Sequence, residues 1–311
     1  MSLAFVFPGQ GSQSVGMLAQ HAAASASVRA TFDAASGAIG VDLWGLSQNG
    51  PEEELNRTEF TQPALLAAGV ALWRVWRERG GASPAVLAGH SLGEYTALVC
   101  AEALSLEDAT VLVRARGQLM QAAVPSGTGA MAAVLGADDA VIAAACADAA
   151  QGQVVSPANF NSPGQTVIAG NTDAVDRALA LLSERGVRKS VKLPVSVPSH
   201  CALMRGAADE LAERIRAIAW RLPVLSVVQN ADARAHEEVS SIQDALVRQL
   251  YQPVRWAECV QELKRLGART LVECGPGKVL SGLARRIDKE LEGRPLSTPA
   301  DLDAALAARA T

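Results

Sequence analysis

The chain has 311 residues, enough at roughly 150 residues per domain for two domains, or for one large domain carrying an insertion. Apolar residues make up 49% and charged ones 19%, with 28 Lys and Arg against 32 Asp and Glu, which excludes intrinsic disorder and the strongly basic profile of a nucleic-acid binder. Aromatic residues are only 4%, so aliphatic side chains and closely packed helices must build the core, favouring α/β or all-α over a β-sandwich.

In chain order, Leu3 to Phe7 is a short apolar run closed by Pro8-Gly9-Gln10-Gly11, a buried strand entering a glycine loop. Thr61 to Gly80 reads as a helix, with Leu66, Val70 and Trp73 at helical spacing, Pro63 in the first turn and Gly80 as the stop. Ala85 to Ala88 is a second apolar strand, followed at once by Ser91 and a helical stretch through Ala103. Ser105 to Gln121 is a helix opened by a Ser105-x-x-Asp108 capping pattern.

From Gly129 to Leu193 the rhythm changes. Strands are predicted over Ala130 to Leu135, Gln153 to Ser156, Thr166 to Ala169 and Arg188 to Leu193, with helices over Asp138 to Ala149 and Thr172 to Arg185. The order β-α-β-β-α-β is the ferredoxin-like pattern. It predicts a small subdomain, 127–195, inserted into a larger α/β body, 1–126 and 196–311, with crossings at Pro125 to Gly129 and Pro194 to Pro198. Ala202 to Ile218 is helix-like, Thr270 to Glu273 a strand, and a helix containing Arg285 and Lys289 follows Gly275-Pro276-Gly277. The tail after Glu292 is loosely specified, with a short helix over Asp301 to Ala310.

The five cysteines, Cys100, Cys146, Cys201, Cys259 and Cys274, are odd in number and lack Cys-x-x-Cys spacing, which argues against a disulfide framework or structural zinc and for a reducing compartment. The first cationic residue is Arg29, and the longest apolar run, Ala64 to Trp73, is ten residues. Neither a signal peptide nor a membrane insertion is expected, and the chain reads as cytoplasmic.

Gly89-His90-Ser91-Leu92-Gly93 matches G-x-S-x-G in the right context, between a strand and a helix. Such a turn lifts the serine hydroxyl clear of the sheet at a helix N-terminus, where free N–H groups favour developing negative charge. The plainer reading is a serine that caps the helix. A nucleophilic serine needs a base, and the chain offers His21, His90, His200 and His236. His90 should point away from its neighbour, and His21 and His236 lie in polar or alanine-rich surroundings typical of solvated positions. His200 follows a stiff proline-bounded segment at the second crossing, where it could face a cleft or simply cap and pack. No Asp or Glu declares itself as a third member, and a backbone carbonyl could orient the ring instead. Arg116 lies within the apolar stripe of its helix, beside Leu112, Val113 and Met120. A guanidinium there needs an anion, either from an internal salt bridge, unless its stem snorkels outward, or from a substrate carboxylate.

Further segments run in order along nearly the whole chain: Phe7 to Gln13, Gly89 to Tyr95, Arg116-Gly117 with Met120-Gln121, Asn159 to Gln165, Pro194 to Cys201, Gln249 to Val254 and Gly275 to Leu280. In these the sequence resembles the malonyl-CoA:acyl carrier protein transacylases of bacterial type II fatty acid synthesis. The resemblance implies an α/β-hydrolase-like core with a ferredoxin-like subdomain. It implies Ser91 as nucleophile, His200 as general base oriented by the Gln249 backbone carbonyl, and the N–H groups of Gln10 and Leu92 as oxyanion hole. Arg116 would grip the malonyl carboxylate, and Asn159 would line the cleft near the CoA or pantetheine arm. Malonyl-CoA and acyl carrier protein would be the partners, with the CoA thioester and phosphopantetheine arm as substrates and no bound metal or cofactor. Because acyl carrier proteins are generally acidic, two basic clusters are candidate docking surfaces: Arg185, Arg188, Lys189 and Lys192, and Lys278, Arg285, Arg286 and Lys289. The rivals are a serine esterase or thioesterase on the same turn, a non-enzymatic scaffold, and an acyltransferase of polyketide synthesis.

Overall fold

The structure, a computed structural model, describes residues 2–125, 127–195 and 197–308. Its strands are β1 (Ser2–Phe7), β2 (Val86–Gly89), β3 (Gly129–Leu135), β4 (Val155–Ser162), β5 (Gln165–Asn171), β6 (Lys189–Lys192), β7 (Ser226–Gln229), β8 (Arg234–Ala235), β9 (Ala268–Glu273) and β10 (Glu292–Pro295).

They form two sheets. The larger has the order β10-β9-β1-β2-β7-β8 and is parallel except for the β7–β8 pair. β1 and β2 are nearly continuous apolar runs because helices cover both faces of a parallel sheet. Phe5 and Phe7 pack on one side, with Trp76 and Leu66, and Ala4 and Val6 on the other, with Trp256 and Leu263. The strand ends carry the chemistry, since in such sheets loops at the carboxyl edge converge. The loop after β1, the Ser91 turn after β2 and the segment after β7 all leave from that edge.

The smaller sheet is antiparallel, order β4-β5-β3-β6, and its chain order is β-α-β-β-α-β with helices Asp139–Ala150 and Thr172–Glu184. Ala132, Val134 and Ile168 pack against Ile142, Cys146, Val175 and Leu182 to give it an aliphatic core of its own. It joins the larger sheet's body through β4, where the Phe160 N–H donates to the Val254 carbonyl and the Val254 N–H to Ala158.

Several sequence expectations are corrected. The helix predicted from Thr61 begins at Thr58 and ends at Glu78, which places Pro63 beyond the first turn; its ring removes the one bond that its N–H would have made to Glu59. β4 extends to Ser162 rather than stopping at Ser156, and register shifts around Pro157 and between Phe160 and Ser162 absorb residues that fit a regular ladder poorly. The helix after β9 is Val279–Ile287 and leaves Lys289 outside. The tail contains β10, an edge strand that pairing with β9 creates and that no apolar alternation announces. The last helix starts earlier, at Pro299, because Thr298 and Asp301 form a capping box. Its predicted end at Ala310 lies outside the described residues, as do the boundary residues Ser126 and Ser196. His21 is not solvated: it is buried, with Nε2 3.0 Å from the Leu296 carbonyl, and it ties the first helix to the segment after β10. His236 is half-buried and pairs with Asp232.

Candidate active site

Ser91 sits at the apex of the turn between β2 and the helix Gly93–Cys100, with φ of 51°. A non-glycine residue in this region carries about 1–3 kcal/mol of strain, so neighbours must hold it there. The flanking glycines are sterically required: a Cβ on Gly89 would lie 1.8 Å from the Gly93 carbonyl carbon, and one on Gly93 would lie 2.0 Å from the Phe7 oxygen. A Cβ on Gly9 would come 2.5 Å from the His90 oxygen, so the loop after β1 closes directly onto the turn. Among the described residues the N–H groups of Gln10 and Leu92 donate no hydrogen bond, whereas the Ser91 N–H is engaged by Asn230 Oδ1 at 2.7 Å.

His200, distant in sequence, lies against Ser91, with Nε2 2.8 Å from Oγ. Its φ of 63° is also left-handed. Its Nδ1 lies 2.7 Å from the Gln249 carbonyl and its backbone N–H donates to Leu250 at 3.1 Å. Both acceptors belong to the last turn of the helix Val239–Tyr251, where carbonyls have no partner within the helix and need one from outside. The carbonyl fixes the proton on Nδ1 and leaves the Nε2 lone pair for the serine. The negative end of the helix dipole favours an imidazolium, the service a carboxylate gives in other triads. Burial first, and then the charge of Arg116, push the His200 pKa down to about 3, so the ring is neutral and able to accept a proton.

Arg116 is buried in the helix Leu106–Ala122, at 1% exposure. Its Nη1 donates to Gln62 Oε1 at 2.8 Å, and its Nη2 to Gln249 Oε1 at 3.1 Å and to Ser91 Oγ at 3.2 Å. These acceptors are all neutral. No carboxylate among the described residues pairs with it, its Nε is buried without a partner, and the Tyr95 ring lies 5.6 Å from the guanidinium carbon. Neither the internal salt bridge nor the snorkelling stem is found. A desolvated cation therefore stands beside the serine, bonded only to neutral acceptors.

Asn159 is buried on β4, bridged to Val254 five residues past Gln249, and makes no hydrogen bond to Ser91, His200 or Arg116. Its neighbour in the same motif, Asn161, does reach the turn, with Oδ1 2.9 Å from His90 Nε2. His90 thus points away from Ser91, as expected. Sequence reading also missed Gln62, Asn230 and Glu94. Glu94 lies one turn past Ser91 and accepts from the Asn230 N–H and Gln229 Nε2; burial pushes its pKa up to about 7. The Gln249 side chain was missed too: besides holding Arg116, it donates to the Ser91 carbonyl at 2.9 Å. Among the described residues no group of three or more His, Cys, Asp or Glu could hold a metal ion.

The acyl transferase domain family matches residues 4–294. The malonyl CoA-acyl carrier protein transacylase of Salmonella typhimurium is 57% identical over 303 residues, covering 97% of this chain and 98% of that protein. The chain belongs to this transacylase family. The solved malonyl-CoA:acyl carrier protein transacylase of Xanthomonas oryzae pv. oryzae is 64% identical and superposes with a TM-score of 0.98, covering 99% of each chain. A malonyl-transacylase solved in complex with its type II PKS acyl-carrier protein is 52% identical, with a TM-score of 0.98 over 99% of this chain and 100% of that one.

Proposed function

We propose that the protein moves a malonyl group from malonyl-CoA to the phosphopantetheine thiol of acyl carrier protein through a malonyl ester on Ser91. The observation that carries this reading is the buried Arg116 guanidinium, bonded only to neutral acceptors and 3.2 Å from Ser91 Oγ.

His200 Nε2 takes the Ser91 proton as Oγ attacks the thioester carbon, and the carbonyl oxygen becomes an oxyanion facing the N–H groups of Gln10 and Leu92. Collapse breaks the C–S bond, and the CoA thiolate leaves with the proton from His200. The carrier's pantetheine thiol then gives its proton to His200 and attacks the ester. The second oxyanion collapses by breaking the bond to Oγ, and Ser91 recovers its proton from the imidazolium. Throughout, Arg116 holds the malonyl carboxylate, and pairing also offsets the cause that, after burial, most depresses the basicity of His200. Asn159, buried on β4 beside Val254, lines the cleft near the CoA or pantetheine arm.

The small antiparallel unit, 127–195, is a ferredoxin-like subdomain inserted in an α/β-hydrolase-like body, 1–126 and 196–311. The β4-β5-β3-β6 order and its separate aliphatic core support this division. The two basic clusters act as one docking surface: Arg286 donates to Gln165 at 3.1 Å, and Gln165 and Lys189 both pair with Leu135 in one row of the sheet. Arg185 and Lys192 are partly neutralised by Asp148 and Asp176, which leaves Arg188, Lys189, Lys278, Arg285, Arg286 and Lys289 to meet an acidic partner. The cytoplasmic placement is part of the same reading, supported by five free, buried cysteines.

The test is labelling with radioactive malonyl-CoA. The parental protein is expected to take up one label per chain and Ser91→Ala none; persistent stoichiometric label in Ser91→Ala sinks the nucleophile assignment.

A further inference from the structure

The Ser91 peptide is held from both ends. Its carbonyl accepts from Gln249 Nε2 at 2.9 Å and from the Glu94 N–H at 3.1 Å, while its N–H donates to Asn230 Oδ1 at 2.7 Å. Asn230 is the first residue after β7, the strand next to β2. Its Nδ2 makes a second bond, 2.7 Å to the Gly89 carbonyl, so one side-chain amide spans the turn from the residue before His90 to the residue after it. The amide is itself fixed, because the Asn230 N–H donates to Glu94 Oε2 at 2.7 Å and its carbonyl accepts the Arg255 N–H at 3.1 Å. A carboxamide offers an acceptor and a donor in one plane without carrying a charge.

This arrangement has two effects on the nucleophile. It pins a serine backbone held at positive φ, which would otherwise relax and carry Oγ away from His200 Nε2. It also commits the Ser91 N–H elsewhere, so that the Leu92 N–H and the Gln10 N–H face the oxyanion.

We infer that Asn230 is a positioning residue for the acyl transfer, seating the Ser91 turn so that Oγ stands between His200 Nε2 and Arg116 Nη2. The inference rests on the reading of Ser91 as the nucleophile. Asn230 is fully buried and makes its hydrogen bonds to the turn and to its supports, with none to the groups that would hold the acyl chain. Its loss should therefore slow chemistry without weakening substrate binding.

Single-turnover acylation by malonyl-CoA tests this. Asn230→Ala is expected to acylate about 100-fold more slowly, the scale of a small misplacement of reacting groups, with KM for malonyl-CoA within about twofold of the parent. Asn230→Leu has a similar size but neither donor nor acceptor, and is expected to be as slow as Asn230→Ala. Parental acylation rates in either folded variant overturn the inference. On the parental protein, the Ser91 amide should be strongly protected against hydrogen exchange; exchange at the rate of an open amide overturns it even if the variants do not fold. Label surviving in Ser91→Ala would instead mark failure of the nucleophile reading.

Discussion

The carboxyl edge of the large parallel sheet and the small antiparallel sheet meet beside Ser91, and they are built on opposite terms. The large sheet's edge uses left-handed backbone at Ser91 and His200, glycines that no side chain could replace, and a set of buried polar groups, Arg116, Glu94, Asn230 and Gln249. The small sheet packs alanine, valine and isoleucine under two helices, and it leaves its edge strand β6 exposed along its whole length. Desolvated charge gathers around Ser91, whereas left-handed non-glycine backbone also occurs away from it, at Leu18, Glu102, Gln151 and Ala233. The small sheet carries its charge on the surface, and it reaches the Ser91 turn through Asn161.

If that contrast is right, the largest effects come from the buried groups. Arg116→Ala should reduce the preference for malonyl- over acetyl-CoA by about 100-fold, since removing one partner of a buried charge pair costs about 2–5 kcal/mol. A transfer assay offering both thioesters checks this, and an unaltered ratio would rule out the carboxylate clamp.

An intermediate effect concerns pH. His200 titrates near 6.5 when unfolded but only at about 3 in the folded protein, because burial and Arg116 disfavour its charged form. Between those values the unfolded chain binds more protons, so stability falls as pH drops from about 6.5 toward 3, by up to about 1.4 kcal/mol per pH unit for this group. Glu94 has the opposite sign: its folded value is raised from 4.5 to about 7, so its contribution is full below 4.5 and is lost as pH rises through 7. Urea unfolding of His200→Gln across the acid range should show a shallower slope than the parent. Equal slopes would mean that His200 is not held neutral by the fold.

The smallest effect belongs to the small sheet. Arg188→Glu combined with Lys189→Glu should slow transfer to acyl carrier protein several-fold, in a salt-dependent way, because rim charges act mainly on association rate. Acylation by malonyl-CoA should stay at the parental rate. A change in acylation would mean that the two regions are not separable in function.

Much of this was legible along the chain because it is local. The β-α-β-β-α-β order could be read from apolar runs and turn residues, since each element there is set by its own few residues. The Ser91 turn could be read because its steric demands fall on residues two positions away. Arg116 was conspicuous as a cation within an apolar stripe. The roles of Asn230, Gln62 and Asn161 were not legible. Each depends on a contact across a strand or helix pairing, such as β2 beside β7, that no local pattern encodes. β10 was missed for the same reason, since Glu292 to Pro295 becomes a strand only by pairing with β9.

By itself the sequence determined the α/β class, the β-α-β-β-α-β order, the serine turn and a cation set within an apolar stripe at Arg116, because composition, periodicity and the sterics of glycine act over short distances. Tertiary structure alone decided that, among the described residues, no carboxylate pairs with that cation. It also placed the Gln249 carbonyl beside His200 by ending a helix there, with its free carbonyl 2.7 Å from Nδ1. Both outcomes depend on which surfaces folding brings together and which buried groups are left to find partners, and only the assembled core fixes that.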